Sequence, residues 1–100
     1  MTTTITKYVL IHGKVQGVGY RNWVGMVSHR LGLEGWVRNR GGDMVEALFR
    51  GPEPAVATMI AECRKGPPNA RVIHIDEREG MAEELNKRYP GEDFSCLPTV

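Results

Sequence analysis

The stretch "GKVQGVGYRNW" (residues 13–23) joins two predicted elements and contains three glycines. The run "TKYVLIHGKV", which leads into it, is rich in β-branched and aromatic side chains that alternate as they do in a strand. After it, apolar residues recur at helical spacing from Tyr20 to Leu31, and Gly32 suits a left-handed helix cap. A strand-to-helix turn needs one or two glycines, so this loop has more backbone freedom than the turn alone requires.

Beyond the helix, the sequence predicts a pair of antiparallel strands. The segments "EGWVRN" and "MVEALFR" have strand character, and "RGGD" between them predicts a tight turn. In the second of these strands Val45, Ala47 and Phe49 share one face, because side chains alternate along a strand. The pair is therefore predicted to bury that face.

A second helix is predicted between two boundaries rich in proline. Residues 52–54 suit a first helical turn, and Gly66 followed by two prolines ends the helix. Its predicted buried stripe consists of Val56, Met59, Ile60 and Cys63. The following segment "ARVIHIDER" predicts a fourth strand, in which Ile73 and Ile75 face one side and Val72 faces the other.

The element order is βαββαβ with a short extra strand predicted in "FSCLPTV". Short connections and two helices predict an α+β fold, a ferredoxin-like α/β sandwich with an antiparallel sheet and both helices on one face. We expect a single domain over residues 1–100, with its core at about residues 6–79. The pattern leaves the structure of residues 80–100 open.

The composition indicates the class of protein and the cellular compartment. The chain has 100 residues, 41% hydrophobic and 25% charged, which is typical of a globular domain. Its start lacks the pattern of a secretory signal, and Cys63 and Cys96 are in no metal-ligand spacing. Free thiols indicate a reducing compartment, so we expect a cytoplasmic protein that does not act at a membrane.

Charge is distributed unevenly along the chain. Residues 1–50 contain seven Lys or Arg and three Asp or Glu, a balance of +4, whereas residues 51–100 contain six and nine, a balance of −3. A small anion would be attracted to the first half, which holds the glycine-rich loop. Scattered solvated charge is the alternative. His12, His29 and His74 are dispersed without metal-ligand spacing, which favours structural or surface roles over metal binding.

The loop itself has the composition of an anion-binding turn. Its amides and the free N–H groups of a helix's first turn can face one concavity, and the guanidinium of Arg21 can pair two phosphate oxygens. The alternative is a plain turn with a solvated arginine. The loop is not a nucleotide P-loop, which would end in Gly-Lys-Ser/Thr, and Asn22 stands where a dinucleotide fingerprint has its third glycine.

A second polar feature is Asn39, at a strand end between Arg38 and Arg40. In the predicted topology this strand end could lie near the loop. A side-chain amide both donates and accepts hydrogen bonds, so Asn39 can hold a water molecule. The alternative is an asparagine that satisfies turn backbone. Glu46 is either a cross-strand partner of a basic residue or solvated.

Taken together, "VQGVGYR" and "GWVRN…MVEALFRGP" resemble the acylphosphatase family from about Tyr8 to Ile75. The resemblance implies metal-independent, cofactor-free hydrolysis of small acyl phosphates by a protein that we expect to be a monomer. It implies that Arg21 binds phosphate and that Asn39 orients the attacking water. It also implies a phosphate cradle made by the backbone amides of Gln16, Gly17, Val18, Gly19, Tyr20 and Arg21.

The chain departs from the family pattern at two places. Gly42-Asp43 stands where the family usually has Asp-Gly in the turn, and the segment 80–93 differs from the usual ending. Neither departure removes Arg21 or Asn39.

Two other functions fit the same element order. An RNA-recognition domain needs exposed aromatic residues on its central strands, where this chain offers only Tyr8 and Phe49, and a net charge of +1 is small for nucleic-acid binding. We therefore expect no nucleic-acid partner. A non-catalytic domain that binds an acyl or carbamoyl phosphate without cleaving it is the second alternative.

Overall fold

Two α-helices cover one face of a five-stranded sheet. The computed structural model describes residues 2–100. Its elements, in chain order, are β1 (Thr4–Lys14), α1 (Tyr20–Arg30), β2 (Glu34–Arg40), β3 (Met44–Pro52), α2 (Glu53–Lys65), β4 (Arg71–Glu79), a 3₁₀ helix (Ala82–Lys87) and β5 (Phe94–Cys96). Neither α-helix is long and apolar enough to cross a membrane, and the same holds for every other helix within residues 2–100.

The strand order in the sheet is β4-β1-β3-β2-β5, and β1 pairs antiparallel with both β3 and β4. This order confirms the predicted ferredoxin-like βαββαβ sandwich. One detail was wrong, because β5 pairs parallel with β2 and the sheet is therefore mixed rather than wholly antiparallel. Since β4 and β2 run in opposite directions, a chain that turns back after β4 reaches the far edge parallel to β2.

The main core lies between the sheet and the two helices. Val45, Ala47 and Phe49 of β3 are fully buried there, as their shared face predicted. The predicted stripe of α2 is buried against them, from Val56 to Cys63. Each large apolar side chain buried in this way contributes about 1.5–3 kcal/mol to the stability of the fold.

A smaller cluster lies on the other face of the sheet. Trp36 of β2 is 1% exposed and packs with Leu48, Leu85 and Leu97. Its indole nitrogen donates a hydrogen bond to the carbonyl oxygen of Glu84 at 2.8 Å. The 3₁₀ helix and the segment after β5 are therefore held against the sheet.

An irregularity in the pairing of β1 with β4 changes which isoleucine is buried. His12 pairs with His74 but Gly13 pairs with Val72, so Ile73 has no register partner. Ile73 is 78% exposed, whereas Ile75 is 8% exposed and Val72 packs against the same core as Ile75. The prediction that Ile73 and Ile75 face one side and Val72 the other is therefore wrong. The irregularity also requires Gly13, whose φ is +134° and whose added Cβ would lie 2.1 Å from the Arg71 carbonyl oxygen.

Candidate active site

The loop after β1, the start of α1 and the end of β2 enclose a pocket of about 300 Å³. Arg21 and Asn39 both line it, so the end of β2 lies near the loop, as the predicted topology allowed. Gln16 and Val18 of the predicted cradle do not line the pocket. The lining residues are Val15, Gly17, Gly19, Tyr20, Arg21, Asn22 and Asn39.

Two glycines shape the loop through their backbone conformation. Gly17 has φ +73° and Gly19 has φ +77°, in the left-handed region that other residues rarely adopt. An added Cβ would meet no atom within 4 Å at either position. Within the chain itself, the requirement for glycine there is therefore conformational rather than a matter of crowding.

The first turn of α1 leaves backbone donors without helical acceptors. The first helical hydrogen bond runs from the Trp23 amide to the Gly19 carbonyl at 3.0 Å, so the amides of residues 20–22 have no acceptor within the helix. Gly19, at the N-cap, supplies no side-chain cap, and the first turn has no acidic residue. The positive end of the helix dipole is thus not neutralised by an acidic side chain of the helix's own first turn.

The guanidinium of Arg21 is held by a segment far along the chain. Its Nη1 donates to the carbonyl oxygen of Leu97 at 3.2 Å, and the Leu97 amide in turn donates to the Val37 carbonyl at 2.8 Å. Within residues 2–100, no carboxylate forms an ion pair with Arg21. Its positive charge is therefore oriented but not neutralised. No local sequence signal points to Leu97, because the two residues meet only through the sheet.

Asn39 presents a buried polar atom without a partner. Its Oδ1 is the one buried side-chain nitrogen or oxygen among residues 2–100 that makes no hydrogen bond. The alternative that this side chain satisfies the turn backbone is therefore not supported for Oδ1. Buried polar atoms are nearly always paired, so this exception, in a residue that lines the pocket, marks Asn39 as a candidate to bind a solvent molecule or a ligand. The backbone of Asn39 is fixed by a hydrogen bond from the Val100 amide to its carbonyl at 3.1 Å.

The arginines on either side of Asn39 face the opposite side of the sheet, where Glu46 binds them. Glu46 is 2% exposed and accepts hydrogen bonds from Tyr8, Arg38 and Arg40. Burial alone would raise the pKa of Glu46, but the hydrogen bonds from Tyr8 and Arg38 outweigh it and hold the pKa below its usual value. The cross-strand alternative for Glu46 is thus confirmed, and Arg38 and Arg40 do not line the pocket.

The strand pairing brings together two histidines that are far apart in sequence. Nε2 of His12 lies 2.9 Å from Asp76 and Nε2 of His74 lies 2.6 Å from the same carboxylate, which lowers the pKa of Asp76. Sequence reasoning missed this cluster. Although His12, His74 and Asp76 lie close together, they do not form a metal site, and residues 2–100 contain no group of three or more His, Cys, Asp or Glu side chains that could hold a metal ion.

The two cysteines occupy different environments. Cys63 is buried in the core, and this burial raises the pKa of its thiol to about 12. Its carbonyl oxygen accepts a hydrogen bond from the Tyr20 hydroxyl at 2.7 Å, which ties α1 to α2. Cys96 is exposed, and both thiols are free. A protonated, buried thiol is a poor nucleophile, so Cys63 belongs to the core rather than to the site.

Comparison with known proteins identifies the family. The model of the family described as "Acylphosphatase" matches residues 7–95. The chain belongs to the acylphosphatase family. It is 54% identical over 98 residues to the acylphosphatase of Rhodopseudomonas palustris (strain BisB18), covering 98% of this chain and 99% of that protein. Acylphosphatases are hydrolases of small acyl phosphates, and this chain is an enzyme of that class.

Solved structures agree with this membership. An acylphosphatase from Coxiella burnetii superposes with a TM-score of 0.82 at 30% identity, over 94% of this chain and 93% of that one. Full-length HypF, solved in a phosphate- and nucleotide-bound form, matches with a TM-score of 0.82 at 26% identity, over 99% of this chain but only 12% of that one. An acylphosphatase-like domain thus also occurs as a small part of a much larger protein.

Proposed function

We propose that this acylphosphatase cleaves acyl phosphates to carboxylate and phosphate without a metal ion. The backbone amides of the predicted cradle residues that line the pocket, Gly17 and Gly19 to Arg21, hold the phosphate together with the guanidinium of Arg21, and Asn39 orients the attacking water. One observation carries the proposal: the lining of a single pocket includes both Arg21, which has no carboxylate partner, and Asn39, whose buried Oδ1 is unpaired.

The charges around the pocket favour an anion. The guanidinium of Arg21 presents N–H donors in a plane, which matches two oxygens of a phosphate, and Leu97 occupies only one of its terminal nitrogens. The amides of residues 20–22 lie at the positive end of the α1 dipole. A phosphate there would complete hydrogen bonds that the chain itself leaves unmade.

The chemistry of an acyl phosphate explains why so few groups suffice. Its leaving group is a carboxylate whose conjugate acid has a pKa of about 4, so no general acid is needed. Phosphoryl transfer then depends on positioning and on stabilising the charge of the phosphoryl oxygens. Asn39 orients the water, and a phosphate oxygen of the substrate accepts its proton. No step in this scheme calls for a metal ion or an organic cofactor.

The other face of the sheet does not favour a nucleic-acid partner. The guanidinium carbon of Arg78 lies 4.0 Å from the centre of the Tyr8 ring, and the Tyr8 hydroxyl is bound to Glu46. Phe49 is fully buried. The aromatic faces that single-stranded RNA would need for stacking are therefore occupied. We propose that the chain acts as a cytoplasmic monomer on a small acyl phosphate.

Phosphate release from benzoyl phosphate in the presence of a chelator tests this function. Asn39→Ala should lower kcat by about a hundredfold, because the attacking water loses its fixed partner. Asn86→Ala is the matched control, since Asn86 is exposed on the 3₁₀ helix, and its kcat should equal that of the wild type. Loss of wild-type activity with the chelator would contradict metal independence. Phosphate binding without turnover would favour the non-catalytic alternative.

A further inference from the structure

The side chain of Gln16 reaches from the phosphate-binding loop to the turn between β2 and β3. Its amide nitrogen Nε2 lies 2.8 Å from the carbonyl oxygen of Met44, 3.2 Å from that of Gly41 and 3.4 Å from that of Arg40. Arg40 and Gly41 directly follow Asn39 in the chain, and Met44 begins β3 on the other side of the turn. One side chain thus bridges the loop and the hairpin that carries Asn39.

The chemistry of this contact requires a hydrogen-bond donor. Three carbonyl oxygens surround one nitrogen, and a carboxamide supplies two N–H groups there. The carbonyl of Gly41 lies beyond Arg40 and Met44, the last register pair of the hairpin, so it has no partner in the strand ladder. An apolar side chain would leave these acceptors without the donor, and a carboxylate would repel them.

We propose that Gln16 is a positioning residue that sets the place of Asn39 relative to the phosphate. The proposal rests on the proposed role of Asn39. The backbone of Gln16 belongs to the proposed phosphate-binding loop. Its side chain binds the end of the hairpin that carries Asn39, the residue proposed to orient the water. A change in that spacing of about 1 Å can lower a rate by up to about a hundredfold.

Phosphate binding should be insensitive to this side chain. Gln16 does not line the pocket, and Arg21 is fixed separately by Leu97. Losing the Gln16 side-chain contact should therefore lower kcat and leave the affinity for inorganic phosphate unchanged. A purely structural role would instead lower the fraction of folded protein and leave the kcat of each folded molecule unaltered.

A double-mutant cycle between Gln16 and Asn39 tests the inference. Gln16→Met keeps the length of the side chain and removes its donors. In the wild-type background it should lower kcat for benzoyl phosphate about tenfold. In the Asn39→Ala background its effect should fall below about twofold, because the water is already misplaced. The inhibition constant of inorganic phosphate should change less than about twofold in both backgrounds, with each kcat corrected for the folded fraction.

Two further variants sharpen the test. Gln16→Lys restores N–H donors at a similar reach, so its kcat should be within about threefold of the wild type. Asp43→Ala changes the same turn without touching Gln16 and should leave kcat unchanged. If Gln16→Met does not fold, Gln16→Ala replaces it in the cycle, because it removes the contact without placing apolar atoms against the carbonyls.

The outcomes separate this inference from the proposed function. If Asn39→Ala keeps the wild-type kcat, the proposed function is wrong. If Asn39→Ala loses activity but Gln16→Met does not, the proposed function stands and the positioning role of Gln16 is wrong. An equal loss for Gln16→Met in both backgrounds, or no recovery with Gln16→Lys, would also overturn it.

Discussion

The pocket at the end of β2 and the cluster around Glu46 lie on opposite faces of the same sheet and use similar residues. In the Glu46 cluster, Tyr8, Arg38 and Arg40 all bind one carboxylate that is 2% exposed. In the pocket, Arg21 has a carbonyl oxygen but no carboxylate partner, and the Oδ1 of Asn39 has no partner among residues 2–100. Asn39 therefore contributes to a region with unpaired polar groups, whereas its neighbours Arg38 and Arg40 contribute to a region whose charges are paired.

The difference shows how polar groups divide between stability and function. A buried carboxylate with three partners is tolerated because each partner offsets part of its desolvation, and breaking the cluster leaves a buried charge uncompensated, which destabilises the fold. Groups left unpaired at a pocket cost the fold stability, and a ligand or a water molecule can complete their hydrogen bonds. The comparison therefore predicts that substitutions in the pocket lower activity, whereas substitutions in the Glu46 cluster lower stability.

The largest effect is expected at Arg21. Arg21→Ala should lower kcat for benzoyl phosphate by about 10²–10³ and weaken the binding of inorganic phosphate, because a fixed donor to the phosphoryl oxygens is lost. Arg40→Ala is the matched control, an arginine one residue from Asn39 that lies on the other face, and it should change kcat less than about twofold. Equal losses for the two variants would show that the pocket and the Glu46 cluster are not functionally distinct.

A smaller effect, on stability alone, is expected at Glu46. Glu46→Gln keeps the shape of the side chain but removes the charge that Arg38 binds, and it should lower the free energy of unfolding by about 2 kcal/mol. Urea denaturation measures this loss, and the kcat of the folded enzyme should be unchanged. Glu79→Gln, at an exposed pair with Lys7, is the control and should have little effect. A marked fall in kcat for Glu46→Gln would mean that the cluster takes part in catalysis.

The smallest effect is expected at Glu84, and it depends on pH. The hydrogen bonds from Arg78 lower the pKa of Glu84 to about 2 from the ordinary 4.5, so the stability that this pair contributes is present above pH 4.5 and is lost as the pH falls through about 2. Because Arg78 is half exposed, the contribution should be below about 1 kcal/mol. The difference in Tm between the wild type and Glu84→Gln should be present at pH 6 and should disappear near pH 2. A difference that does not vary with pH would exclude an electrostatic origin.

Much of the fold follows from local patterns that act over a few residues. The helical spacing from Tyr20 predicted where α1 starts, and the alternation of Val45, Ala47 and Phe49 predicted the buried face of β3. The exposure of Ile73 could not be predicted, because it depends on a register shift between two strands about 60 residues apart in the chain. The parallel pairing of β5 depends on the path of the chain across the sheet for the same reason.

The candidate site divides in the same way. Sequence motifs made Arg21 and Asn39 candidates. The hydrogen bonds from Arg21 to Leu97 and from Gln16 to the hairpin could not be predicted, because each joins segments that are far apart in the chain. The histidine cluster at Asp76 was missed because only strand pairing makes it.

The sequence by itself determined the order of the elements, the backbone freedom of the glycine-rich loop and the residue types that chemistry on a phosphate requires. Those features depend on backbone sterics and on periodicity, which act between near neighbours in the chain. Only the tertiary structure decided which arginines have a carboxylate partner, since Arg21, Arg38 and Arg40 are equivalent as residue types. A charge is neutralised or left available by what the fold places within a few ångströms of it, and that depends on contacts between distant parts of the chain.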